Sequence, residues 1–134
     1  MKFVVDRALG WYRLLSMTTR GYGQFCPVAK AAEILAERWT LLVLRDLLKG
    51  ARHFNDLRRG LPLISPSVLA QRLKMLQEAD IVRRVPASNG RSWEYRPTRA
   101  GQELWPLIHE IGHWGQRWVR SRLTRNELHP GPLM

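Results

Sequence analysis

The order of helix breakers and apolar stripes between residues 53 and 97 constrains this chain more than any other feature. Phe54, Leu57 and Leu61 mark a short helix that Gly60 and Pro62 bring to an end. Ser65 then caps a longer helix that has Pro66 at its first position. On that helix Leu69, Leu73 and Leu76 recur at helical spacing and face a core. Ser67, Gln71, Lys74 and Glu78 fall on the opposite face, and Val68 and Arg72 lie at its flanks. Residues 81–85 alternate as a strand into Pro86, Asn89-Gly90 supplies a turn, and residues 93–96 return. This order predicts a fold that is mainly α with a small β-hairpin wing, a winged helix-turn-helix.

Charge points the same element order toward a partner. The chain carries 22 Lys+Arg against 11 Asp+Glu, a formal net charge of +11. Twelve of those cations and five of the acids lie between Arg45 and Arg99, so that stretch supplies +7 of the total. A polyphosphate backbone favours such a surface through counterion release. Placed on a helix-turn-helix order, the excess implies double-stranded DNA as the partner, with the Ser65–Glu78 helix in the major groove.

A length of 134 residues suits one domain, and the 45% hydrophobic fraction supports a packed core. A single cysteine excludes an internal disulfide framework and makes a cytoplasmic home the simplest reading. No apolar run approaches the roughly 20 residues of a membrane span, so no membrane partner is expected. The opening apolar run is broken by Asp6 and Arg7, unlike a secretory signal. Residues 1–25 read as an N-terminal extension, with Val4, Val5, Leu9, Trp11, Leu14 and Leu15 suited to a short amphipathic helix. Met17 is an alternative translation start. Residues 26–100 form the expected DNA-binding domain, 101–125 a C-terminal dimerisation helix and 126–134 a flexible tail. Within the domain, Cys26-Pro27 opens a helix running to about Glu37, and Trp39 to Lys49 forms a second that Gly50 stops.

Thr98 is placed to cap a last helix reaching about Leu123, with a kink at Pro106. About 24 residues at 1.5 Å each would span roughly 36 Å, more than a small winged-helix body covers. Leu104, Leu107, Ile108, Ile111, Trp114 and Trp118 line one side of it. Such a stripe calls for a second copy, so a homodimer is expected, its twofold matching a pseudo-palindromic operator.

One motif on this helix points elsewhere. His109-Glu110-Ile111-Gly112-His113 fits the zinc-protease pattern of two histidines one turn apart with a glutamate base. Its imidazoles project opposite Leu104, Ile111 and Trp118, and the extended pattern fails at Gln116 and Val119. The nearest downstream glutamate is Glu127, in the tail. A zinc-dependent hydrolase is therefore the weaker alternative, beside a winged-helix protein-interaction module. The preferred reading is a non-enzyme with no metal and no cofactor.

Several motifs in order carry a family resemblance: Cys26-Pro27-Val28, Glu37 through Leu48, Ile64-Ser65, Leu69, Arg72-Leu73, Leu76, Thr98, Gly101, Leu104, Pro106 and Trp114-Gly115. Over about residues 24–118 the chain resembles the HxlR-type winged helix-turn-helix regulators, bacterial transcription factors related in architecture to the MarR group. The resemblance implies a cytoplasmic homodimer that binds operator DNA, usually as a repressor and sometimes as an activator. It also implies dimerisation through the first and last helices. Residues 1–16 lie outside the pattern, which favours the Met17 start.

Ser65, Ser67, Val68, Gln71, Arg72 and Lys74 are the expected groove-helix contacts, and Asn89 and Arg91 those of the wing tip. Ser65 has a second reading as a helix cap alone. Arg72 matches an arginine of the resembled family and has a second reading as a salt bridge to an acid such as Glu78 or Asp56. Arg83, Arg84 and Arg96 are weaker candidates because strand alternation turns some of them away from DNA. Cys26, at a helix N-terminus, is a candidate sensor of small oxidants or electrophiles, a role some members of the resembled family give to a cysteine there. Its alternative is a small buried residue at the helix start.

Overall fold

The computed structural model describes residues 21–120. The expectations for residues 1–20, for the end of the last helix and for the tail lie outside the described residues. Helix α1 spans Pro27–Leu35 and α2 spans Thr40–Leu48. Helix α3 covers Phe54–Gly60 and α4 Pro66–Glu78. Strands β1 (Val82–Pro86) and β2 (Trp93–Pro97) form an antiparallel hairpin in register from Val82 opposite Pro97 to Pro86 opposite Trp93. A short α5 (Arg99–Gln102) leads to α6 (Trp105–Trp114), which continues into one π-helical turn over Gly115–Val119.

Apolar spacing explains how these elements pack. Val43, Leu44 and Leu47 of α2, Leu57 of α3 and Leu69, Leu73 and Leu76 of α4 are essentially inaccessible to solvent. Each such side chain stabilises the fold by about 1.5–3 kcal/mol relative to an exposed one. Ile34, Leu61, Ile64, Ile81 and Val82 close the same core. The N-terminal Pro66 and the Ser65 hydroxyl start α4, with Ser65 Oγ accepting from the Val68 amide at 3.2 Å. Asp80, in the left-handed region at φ 56°, reverses the chain into β1. The Ile81 amide meanwhile donates to the Leu76 carbonyl.

Two junctions differ from the sequence expectation. The first helix stops at Leu35, and Trp39 is the N-cap of α2 in a left-handed conformation, φ 80°, not its first helical residue. A bulky residue adopts this conformation only when its surroundings impose it. Trp39 packs against the core, and the Arg38 guanidinium lies 5.3 Å from its ring centroid.

The second difference is the last helix, which is two helices rather than one kinked rod. Pro106 has no amide to extend the α5 ladder, so the chain turns through Glu103 and Leu104 and α6 restarts with Pro106 in its first turn. The predicted stripe divides as a result. Leu104 and Ile108 pack on the domain's own core, whereas Leu107, Ile111, Trp114 and Trp118 are exposed.

Candidate nucleic-acid interface

The α4 surface follows from its burial. With Leu69, Leu73 and Leu76 inward, Ser67, Gln71, Lys74 and Glu78 are all exposed, and Val68 is half-buried against the core. Ser65 is exposed but engaged, its hydroxyl capping α4 and lying 3.3 Å from the Ser67 hydroxyl. The polar face of α4 therefore presents amide, hydroxyl and ammonium groups at the spacing of one helix side. These are the groups that hydrogen-bond base edges and phosphates.

Arg72 does not join that face. Its Nε donates to the Arg38 carbonyl at 2.7 Å, and its Nη2 lies 3.9 Å from Glu37. Its side chain is 15% exposed. Arg72 therefore does pair with an acid, and that acid is Glu37 rather than Glu78 or Asp56. Asp56 instead accepts from the His53 amide and pairs with Arg59. Burial acts to raise the Asp56 pKa, but the Arg59 hydrogen bond and charge and the backbone amides outweigh it, so the carboxyl sits below the ordinary range.

The wing tip is built by Asn89. Its side-chain oxygen accepts from the Arg91 amide, the Ser92 amide and the Ser92 hydroxyl, and Gly90 takes φ 68° beside it. Asn89 therefore shapes the turn, and Arg91 is left exposed at its end. The Tyr95 amide donates to the Arg52 carbonyl at 2.7 Å, which lays the segment before α3 along β2 and anchors the wing.

The basic excess sorts by what each cation already holds. Arg52 caps the end of α2 through the Leu47 and Ala51 carbonyls. Arg45 pairs with Asp46 and Arg96 with Glu94. Among the described residues, Lys49, Arg58, Lys74, Arg83 and Arg91 are exposed and make no ion pair. Arg84 stacks on Trp93 at 4.4 Å from the ring centroid. Arg58 and the Trp93 platform are not marked as candidate contacts by the sequence pattern. Trp93 stands two residues from Tyr95 on one face of β2, an aromatic pair that was a readable signal.

Cys26 is exposed and free in the isolated chain, at the N-cap of α1. The backbone amides of Ala29 and then Val28 at the start of α1 lower its pKa, with a smaller opposing effect of burial. On α6 the His109 ring meets Trp105 edge-on at 4.5 Å and lies 6.0 Å from the His113 ring. No cluster of three or more metal-ligating side chains occurs among the described residues. No helix among them is long and apolar enough to cross a membrane.

Short helix, turn, capped helix and hairpin define a winged helix-turn-helix protein. Residues 34–123 match the HxlR-like helix-turn-helix family, and the chain belongs to that family. The HTH-type transcriptional regulator Rv3095 of Mycobacterium tuberculosis is 41% identical over 93 residues, 69% of this chain and 58% of that relative. The chain thus spans little more than half the length of that relative. The crystal structure of PA1607 is similar with a TM-score of 0.72 and 32% identity, covering 83% of this chain and 75% of that one. The reduced form of the transcriptional regulator YodB from Bacillus subtilis has a TM-score of 0.62 and 28% identity, covering 73% of this chain and 98% of that one. YodB has also been solved in quinone-bound and diamide-treated forms.

Proposed function

We propose that this chain is a sequence-specific DNA-binding transcriptional regulator that acts in the cytoplasm as a homodimer and represses by occupying a pseudo-palindromic operator. The observation that carries the reading is α4, a capped helix with Leu69, Leu73 and Leu76 locked in the core and Ser67, Gln71 and Lys74 presented outward. Ser67 and Gln71 meet base edges, Lys74 and Arg58 meet phosphates, and Arg91 and Arg83 extend the contact along the wing. Exposed Leu107, Ile111 and Trp114 on α6 and Trp118 in the π-helical turn after it, together with Phe25 before α1 and Val28 in its first turn, supply the dimer surface. The chemistry is binding, with no catalytic step.

Cys26 is the proposed input. An exposed thiol with a lowered pKa is the thiolate-prone form that attacks oxidants and electrophiles. The quinone-bound form of YodB supports the same class of signal here. Because the chain has one cysteine, a disulfide at Cys26 must join two subunits or take a small thiol.

The test is fluorescence anisotropy of the purified protein on DNA from upstream of its own gene. It runs against scrambled competitor across a salt series, with and without diamide or a quinone. Competitor-resistant binding that falls steeply with salt supports the regulator, and loss of the oxidant response in Cys26→Ser supports the sensor. Binding that ignores sequence at every salt concentration overturns the operator reading in favour of a protein-interaction module.

A further inference from the structure

We infer that Arg72 is a positioning residue that seats the reading helix on the α1–α2 link, so that the placement of α4 follows the conformation of residues 36–39. The inference rests on the proposal that α4 reads DNA, and it adds how α4 is held. Arg72 lies between the buried leucine stripe and the exposed face of α4. It reaches back to a segment 34 residues earlier in the chain.

The link has a specific need for it. Trp39 breaks the helical path with its left-handed backbone, so the α2 ladder begins at its own carbonyl. Thr40 donates to the Glu37 carbonyl and Val43 to the Trp39 carbonyl. The Arg38 carbonyl is left turned out of the α2 ladder, and Arg72 Nε satisfies it at 2.7 Å. The same planar guanidinium extends Nη2 toward Glu37 at 3.9 Å, setting an ion pair beside that hydrogen bond on one link. Lysine, a single point charge on a flexible stem, cannot reproduce that fork. A change in the link, which directly follows the helix that Cys26 opens, therefore alters the seat of α4 without touching the groove-facing side chains.

The experiment pairs Arg72→Gln with Glu37→Gln and the double variant, in the full-length protein. Amide hydrogen exchange is read without DNA, and affinity is read on a duplex selected from the gene's own upstream region. Arg72→Gln is expected to weaken selected-duplex binding by roughly tenfold and to speed exchange at residues 38–43. Glu37→Gln is expected to weaken binding as well, although removing an acid near a polyanion would by itself strengthen it. The double variant is expected to be no worse than Arg72→Gln alone.

A direct phosphate contact predicts something else. Arg72→Gln would then lower the salt slope by about one, Glu37→Gln would leave binding equal or tighter, and exchange at 38–43 would be unchanged. That pattern overturns the inference, as does relaxed preference at a single base pair with unchanged exchange. Should the wild-type protein bind no DNA selectively, the regulator proposal fails. The exchange result then decides the tie alone, with acceleration at 38–43 upholding it and wild-type exchange overturning it.

Discussion

Gly101 lies so close to Ile81 that a Cβ built on it would fall 2.3 Å from the Ile81 carbonyl oxygen and 3.3 Å from its Cγ2. The contact joins α5 to the turn that enters the wing. Thr98 completes it by donating its hydroxyl to the Asp80 carbonyl at 2.7 Å, with the Ile81 carbonyl 3.1 Å away, while accepting from the Gly101 amide. Backbone on the opposing side has nowhere to yield without shifting β1. Gly101→Ala is therefore expected to destabilise the fold by about 1–3 kcal/mol through overpacking, read as a lower urea midpoint at unchanged slope. A midpoint equal to wild type would mean that α5 is not held against Ile81 in solution.

Ser65 carries two roles that substitution separates. Removing the cap in Ser65→Ala should cost about 1 kcal/mol of stability, visible in thermal unfolding. Ser65→Asp retains an acceptor for the Val68 amide and adds favourable charge at the start of α4. It should keep wild-type stability but lose DNA affinity, because a carboxylate is then held against phosphate. Undiminished affinity in the stable Asp variant would place the start of α4 away from the DNA and leave Ser65 as a cap only.

What the sequence made legible was local. Ser65-Pro66, the Leu69, Leu73 and Leu76 stripe, the Asn89-Gly90 turn and the Thr98 cap each signal through neighbours within a turn or two, and each appears where expected. The left-handed Trp39 was not legible, because tertiary packing imposes that backbone on a residue that does not prefer it. Nor was the partner of Arg72, a carbonyl exposed only by that turn. The apolar residues of the last helix could be ascribed to one side but not divided. Whether Leu104 and Ile108 face their own core depends on where the chain restarts after α5. Exposure of Cys26 likewise depends on what packs around α1, and periodicity does not report it.

Reactivity at Cys26 should depend on pH in a defined direction. The nearby amides of Ala29 and Val28 favour the thiolate, so its midpoint lies below that of an ordinary thiol. Linkage follows the same sign. The folded state holds its proton less tightly than the unfolded chain, so this group's contribution to stability grows as pH rises through the folded midpoint. It fades as pH falls through that midpoint. The rate of iodoacetamide labelling, followed from pH 5 to 10, should reach half its plateau below the midpoint of a cysteine in a short unstructured peptide. Equal midpoints would remove the electrostatic basis for a sensor, and Cys26→Ser gives the zero-labelling control.

The division of the last-helix stripe yields the sharpest contrast. Trp114 is 61% exposed in the isolated chain, while Leu104 one end away packs on the core cluster. If the exposed part of α6 is the homodimer surface, Trp114→Glu should leave secondary structure and the unfolding transition of the domain near wild type while converting dimer to monomer in analytical ultracentrifugation. Operator affinity should fall with it, since a monomer holds one half-site. Leu104→Glu should instead lower the stability of the domain itself, by about 1–3 kcal/mol, because a charged side chain replaces one packed on the core. The two substitutions thus report on different boundaries of the same helical stripe. A Trp114→Glu protein that remains dimeric would move the subunit contact off α6, and a Leu104→Glu protein of wild-type stability would place Leu104 outside the core.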